Sequence, residues 1–199
     1  MFNYLFPLLL FISTMAITPG PNNLMMASSG ATFGLRKSIP AALGASTAFA
    51  FLQFALCMGL STLFVEYPLV KTVITLFGVT YMFYLAWRVS GANSVKETNV
   101  PRPLSFLEMA SFQLLNAKAW ISLTTAATAF SHYTFSRNLE SMLMAFLQFT
   151  IVLSALLVWA AIGVTIRQFL TELRLRVFNL SMAACLALIA VWVVINELF

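Results

Sequence analysis

The chain is a succession of long uncharged runs, and this feature constrains its fold more than any other. No charged side chain precedes Arg36. Residues 41–64, 72–87, 141–166 and 177–196 carry none, and residues 109–130 carry only Lys118. A helix crossing the hydrocarbon core needs about 20 mostly apolar residues. Inside a bilayer only helices and closed barrels satisfy their own backbone groups. The shortest run reaches the required length when taken from about Pro68 to Trp87, with Lys71 snorkelling at its end. These runs predict an all-α integral membrane protein with six transmembrane helices. Composition agrees: 61% of the residues are hydrophobic and 9% charged, against roughly 45–50% and 25% in soluble domains. So few charges cannot cover a core with polar surface, which excludes a soluble enzyme, a disordered chain and a DNA-binding domain.

The few charges give an orientation. Arg36 and Lys37, then Arg88, Lys96 and Arg102, then Arg167, Arg174 and Arg176 belong to the first, third and fifth connections, whereas Lys71 and Arg137 belong to the other side. Basic residues accumulate on the cytoplasmic face, so eight against two puts both termini outside the cytoplasm. The net charge of +5 is then an orientation signal, and no nucleic-acid partner is expected; the lipid bilayer is the expected surrounding. Residues 1–16 lack the basic start of a secretory signal and are read as part of a retained first span. The longest connection, about residues 88–107, divides a single transporter domain, 1–199, into halves at about 1–90 and 105–199. Cys57 and Cys185 lie within apolar runs and imply no disulfide framework.

The first run is too long for one helix. Over residues 3–34 a continuous helix would reach roughly 48 Å, against a core of about 30 Å. The interruption is Thr18-Pro19-Gly20-Pro21-Asn22-Asn23. Two prolines remove backbone donors and clash with the preceding turn, so one helix must stop and a shorter one start at about Asn22, with Asn as N-cap. The new N-terminus offers free N–H groups and a positive dipole end, which suit a carboxylate. Carbonyls freed before Pro19 and Pro21 suit an ammonium group. The fourth run has its own irregularity at Leu115-Asn116-Ala117-Lys118-Ala119-Trp120. A lysine near mid-membrane costs roughly 2.5–3.5 kcal/mol on insertion scales and demands a partner, a wet cavity or a function; Asn116 can add an amide hydrogen bond.

The two irregularities lie about 96 residues apart, and at that offset Ser28-Ser29-Gly30-Ala31-Thr32 faces Thr124-Thr125-Ala126-Ala127-Thr128. Two halves of three spans each must be inverted, because three is odd. Broken segments at corresponding positions of inverted halves point to a transporter binding site. The fold expected is two inverted three-helix repeats with broken helices in spans 1 and 4.

Thr18-Pro19-Gly20-Pro21-Asn22-Asn23, followed by Gly34-Leu35-Arg36-Lys37-Ser38 and Leu43-Gly44, resembles the first motif of the LysE/RhtB family of amino-acid exporters. Phe112 to Trp120 resembles the second, usually Asn-Pro-Lys-Ala. The resemblance implies efflux of amino acids or close derivatives from a bacterial cytoplasm across the inner membrane, so the termini that the basic count puts outside are expected in the periplasm. It points towards the branch that exports cysteine and O-acetylserine, and it is compatible with a homodimer. Two departures stand out. Asn22 replaces a common Asp, which argues against an acidic ion site there, and Ala117 replaces the usual Pro, which suggests a softer break in span 4.

The candidate substrate-binding residues are Pro19, Gly20, Pro21, Asn22, Asn23, Asn116 and Lys118. Each has a plainer reading, the prolines as a packing kink and Lys118 as a snorkelling or neutral amine. Gln53, Gln113 and Gln148 read as interhelical hydrogen-bonding groups. Glu66, Glu108, Glu140 and Glu197 read as interfacial, Glu108 being the best of them for a proton carrier, and His132 reads as an outer-loop residue. A small-molecule channel or membrane sensor is the rival function, and an intramembrane hydrolase the remotest. The chain has no Asp for an aspartyl site and one His, too few for a His-Glu-x-x-His metal site. No catalytic residue, metal or cofactor is expected. No Gly-rich nucleotide loop is present, so a gradient, with protons as the expected ion, must drive uphill transport.

The orientation is testable with C-terminal fusions. Alkaline phosphatase should be active there and green fluorescent protein dark; the reverse pattern would contradict the charge count.

Overall fold

The structure, a computed structural model, describes residues 2–60, 68–90, 102–130 and 136–198. Glu66, Lys96, Glu97, Pro101 and His132 lie outside the described residues, as do the side chains of Lys71 and Glu197. Everything described is helix or short connection. The helices are α1 (Phe2–Ile17), α2 (Pro21–Phe33), α3 (Leu35–Ala55), α4 (Pro68–Ser90), α5 (Phe106–Leu114), α6 (Ala117–Ala129), α7 (Arg137–Arg167) and α8 (Glu172–Leu198). A widened π-helical turn over Leu56–Leu60 closes α3, ending where Gly59 takes φ 117°.

Among the described residues, three helical stretches can cross a membrane by length and composition: Leu35–Leu60, Arg137–Arg167 and Glu172–Trp192. The pair α1 and α2, bent by 54° at the proline break, makes a fourth. α5 and α6, of 9 and 13 residues, are each too short alone. The first connection shrinks to one residue. Gly34, at φ 84°, turns α2 directly into α3, so Arg36 and Lys37 are exposed on the first turn of a helix rather than in a loop.

The burial pattern is that of a membrane protein. Phe6, Phe51, Trp87 and Leu188 are about 70% exposed, whereas Asn22, Asn23, Gln53, Gln113, Asn116, Gln148 and Asn179 are buried. Large apolar side chains face outwards, towards lipid, and polar ones face other helices, where they hydrogen-bond. Gln148 Nε2 donates to Gln53 Oε1 at 3.1 Å, tying α7 to α3. Ser28 Oγ donates to Asn179 Oδ1 at 2.8 Å, tying α2 to α8. Glu140 departs from the interfacial reading. It sits in the first turn of α7 and is 2% exposed, whereas Arg137, Asn138 and Leu139 of the same turn are exposed.

α3 runs along α7 and α4 along α8, while α2 lies against α7 and α5 against α3. Small residues permit these approaches. A Cβ on Gly30 would overlap the Ala160 carbonyl, and one on Gly163 would overlap the Ala27 carbonyl, so α2 and α7 touch backbone to backbone at two reciprocal points. The core between them is apolar, with Met25, Met26, Phe112, Met144 and Leu156 nearly or fully inaccessible.

Gly163→Val should therefore separate α2 from α7. We expect it to cost at least about 1–3 kcal/mol, read as a lower unfolding temperature in detergent. Phe51→Leu, on the outward face, should change stability by no more than about 0.5 kcal/mol. Equal stability of the two variants would contradict the packing described.

Candidate functional site

The break between α1 and α2 frees carbonyls that no backbone N–H can reach, and side chains take them one by one. Thr18 Oγ1 donates to Met15 O at 3.1 Å. Asn23 Nδ2 donates to Ala16 O at 2.9 Å and Thr18 O at 2.8 Å. Trp159 Nε1, from α7, donates to Ile17 O at 3.2 Å. Lys118 Nζ, from α6, donates to Thr18 O at 2.7 Å, Thr18 Oγ1 at 3.0 Å and Pro19 O at 3.4 Å. The three donors of the ammonium thus meet three acceptors at the negative end of α1, where a cation is favoured. These carbonyls, expected from the sequence to await a substrate ammonium, are met by Lys118 in this conformation.

α2 restarts one residue earlier than expected. Gly20 is its N-cap, with no side-chain cap, and Pro21 is its first residue. This is where proline's missing N–H costs nothing. Asn22 is therefore not the cap.

The second break is complete, not soft, although Ala117 stands where proline is usual. Leu115 N bonds Phe112 O at 3.0 Å and Asn116 N bonds Gln113 O at 3.3 Å, tightening the last turn of α5. Asn116 is then extended, at φ −94° and ψ 101°, and caps α6. Tertiary contacts replace proline here. Trp120 Nε1 takes the Leu114 carbonyl at 2.8 Å, and the Leu115 carbonyl packs on Gly78, where a Cβ would collide with it.

Gln113 joins the two breaks. Asn22 Nδ2 donates to Gln113 Oε1 at 2.9 Å, and Gln113 Nε2 donates back to Asn22 Oδ1 at 3.0 Å. Gln113 Nε2 also donates to the backbone carbonyl of Met109 at 2.8 Å, and Asn116 Nδ2 donates to Gln113 Oε1 at 3.2 Å. A backbone carbonyl only accepts, so the Met109 contact fixes which end of Gln113 is nitrogen. That in turn fixes both asparagines. Asn116 Oδ1 is left buried and without a partner among the described residues. Such an acceptor costs about 1–3 kcal/mol.

Two cavities flank this junction. One, of about 30 Å³, is lined by Asn22, Asn23, Ser122 and Gln148, room for about a water or two. The other, of about 300 Å³, is lined by Met82, Ala117, Ile121, Ile189 and Trp192 and falls at the lower end of ligand-pocket sizes. Gly20, Pro21, Asn116 and Lys118 line both and form the wall between them. Gly20 matters by closeness, since a Cβ there would stand 2.9 Å from Lys118 Cδ and Nζ.

The seven residues singled out in the sequence thus come together, Pro19 on the larger cavity and the rest on the smaller. The amides of Asn22 and Asn23 are committed to Gln113 and to α1. Sequence reasoning missed Gln113 as the organiser, and Thr18, Trp120 and Trp159 as carbonyl partners. The one available signal was the nearness of Gln113 to Asn116, three residues on in the sequence. Glu108 lies apart. Its carboxylate meets Arg88 at 2.6 Å and Arg102 at 3.0 Å and closes a capping box with Ser105, so it is a structural anchor of α5.

A family model described as LysE type translocator matches residues 13–197. The chain is 31% identical over 116 residues to proteins of Salmonella choleraesuis (strain SC-B67) and Escherichia coli (strain K12), each named cysteine/O-acetylserine efflux protein. That match covers 58% of this chain and 59% of each relative. No solved structure matches the chain.

Asn23→Leu should leave the Ala16 carbonyl without a donor and lower stability by about 1–3 kcal/mol. An unfolding temperature equal to that of the parent would show that these carbonyls find other partners.

Proposed function

We propose that this chain, which belongs to the LysE type translocator family, exports amino acids or their close derivatives from the bacterial cytoplasm. As a translocator it is an integral membrane transporter and not an enzyme. The observation that carries the reading is the pair of broken spans. α2 and α6 are each 13 residues long, begin 96 residues apart at Pro21 and Ala117, end 96 apart at Phe33 and Ala129, and bring their N-termini to one wall between two cavities.

On this reading the protein is one domain, 1–199, of six inner-membrane spans, with α1–α2 as the first and α5–α6 as the fourth. Helix pairings support the inverted halves, about 1–90 and 105–199. Exchanging the halves carries the α3–α7 and α4–α8 contacts onto themselves and the α1–α7 contact onto α5–α3. The connection at about 88–107 is cytoplasmic and the termini are periplasmic, following the basic residues. The substrate site comprises Pro19, Gly20, Pro21, Asn22, Asn23, Asn116 and Lys118. The smaller cavity, of about 30 Å³, is too small for an amino acid, so a substrate reaches Asn22 and Asn23 only after the junction opens. On opening, Lys118 exchanges its contacts on Thr18 and Pro19 for the substrate carboxylate, helped by the N-terminal N–H groups of α2. Cysteine and O-acetylserine, the substrates in the names of the relatives, are the first candidates. Protons drive uphill export, and the protein works as a homodimer.

Efflux of a radiolabelled amino-acid panel from proteoliposomes, with and without a pH gradient, tests the function. Cysteine and O-acetylserine should leave, faster with the gradient. Lys118→Ala should lose most efflux, at least about 10-fold. Lys118→Arg should keep only part, because a planar fork replaces a compact ammonium. Parental efflux by Lys118→Ala would remove Lys118 from the site, and non-saturable flux indifferent to the gradient would mark a channel.

A further inference from the structure

We propose that Asn116 Oδ1 is the acceptor for the free amino group of the substrate, and that Gln113 holds it in that role. The inference rests on the exporter reading and names which end of the substrate each element takes. The oxygen is buried and has no partner among the described residues. Asn116 is 2% exposed and lines both cavities of the junction. Its identity as an acceptor is set by a chain of contacts that ends on a fixed point. Met109 O accepts from Gln113 Nε2, so Gln113 Oε1 accepts from Asn22 and Asn116, so the remaining atom of Asn116 is oxygen. An oxygen held there requires a donor.

Donors stand close to it. The first N–H groups of α2 and α6 point to the same wall as donors, and Lys118 adds a cation. The junction therefore sets an unpartnered acceptor beside donors, with the Ser122 hydroxyl and the Gln148 amide also on the smaller cavity. A zwitterionic amino acid matches this arrangement, its carboxylate towards the donors and its ammonium towards Asn116. The pattern reads the amino group and leaves the side chain to the apolar lining of the larger cavity, where Met82, Ile121 and Trp192 stand. The substrate class is α-amino acids with an unsubstituted amine. Acylation on the side-chain oxygen is accepted, and acylation on the nitrogen is rejected.

O-acetylserine and N-acetylserine are isomers that differ in just this feature. Binding of both, and of cysteine, should be measured on the full chain in nanodiscs, with unfolding temperature recorded for every variant. The wild type should bind N-acetylserine roughly 10–100-fold more weakly than O-acetylserine, the range expected for a lost charged hydrogen bond. Asn116→Leu removes the acceptor and should bring the two isomers to similar affinity. Gln113→Leu frees Asn116 to rotate and should reduce the preference even where the unfolding temperature is unchanged, which a merely structural role would not do. If the wild type binds both isomers equally, or if folded Asn116→Leu keeps the full preference, the amine assignment is overturned while the exporter reading stands. If it binds none of the three compounds, the exporter reading fails and this inference falls with it. Should Asn116→Leu not fold, a full preference in folded Gln113→Leu overturns the inference and a reduced one supports it.

Discussion

A helix broken inside a membrane leaves carbonyl groups with no water to turn to, and each needs a donor from elsewhere in the protein. The rest of this structure depends on how that requirement is met at the end of α1. Four side chains from three helices and the break itself converge on the carbonyls of Met15, Ala16, Ile17, Thr18 and Pro19. The strongest of them is Lys118, because it brings a full charge to the negative end of a helix. The same contact compensates a lysine placed deep in an apolar run, so a costly charge and a costly break satisfy each other.

This exchange of partners joins the two halves of the chain. Lys118 belongs to the second break and bonds the first, across 100 residues of sequence. Gln113, just before the second break, bonds Asn22 just after the first. Neither break can move without releasing groups that hold the other. The wall between the two cavities is made of the same residues, so a change at the breaks is also a change in what the cavities connect. The close backbone contacts at Gly30 and Gly163 seat α2 directly against α7.

Much of this was legible in the sequence, for identifiable reasons. Proline is a covalent instruction, so the break at Pro19 and Pro21 could be read directly. Charge-free runs are forced by the hydrocarbon, so the helices appeared where the runs did. The offset of 96 residues, suggested by matched small and hydroxyl residues, recurs in the boundaries of α2 and α6. What could not be read depended on contacts between distant elements. The second break lacks proline and is held by Trp120, Gln113 and the packing of Leu115 on Gly78, and the last of these joins elements that no local rule brings together. Asn22 looked like a cap because asparagine commonly is one, and the preference of proline for the first helical position prevailed instead. The freed carbonyls were anticipated, but a long side chain from the other half occupies them.

The central claim is that Lys118 leaves the α1 carbonyls for the carboxylate of the substrate. The most direct test is a dipolar dephasing measurement by solid-state NMR in lipid, between ¹⁵Nζ of Lys118 and the ¹³C-labelled carboxylate of bound O-acetylserine. A direct ion pair places nitrogen and carboxylate oxygen within about 3 Å, and strong dephasing is then predicted in the wild type at saturating substrate. Absence of dephasing at saturation, with the Lys118 signal unchanged from the substrate-free state, would contradict the account and leave Lys118 as a fixed cap on a broken helix.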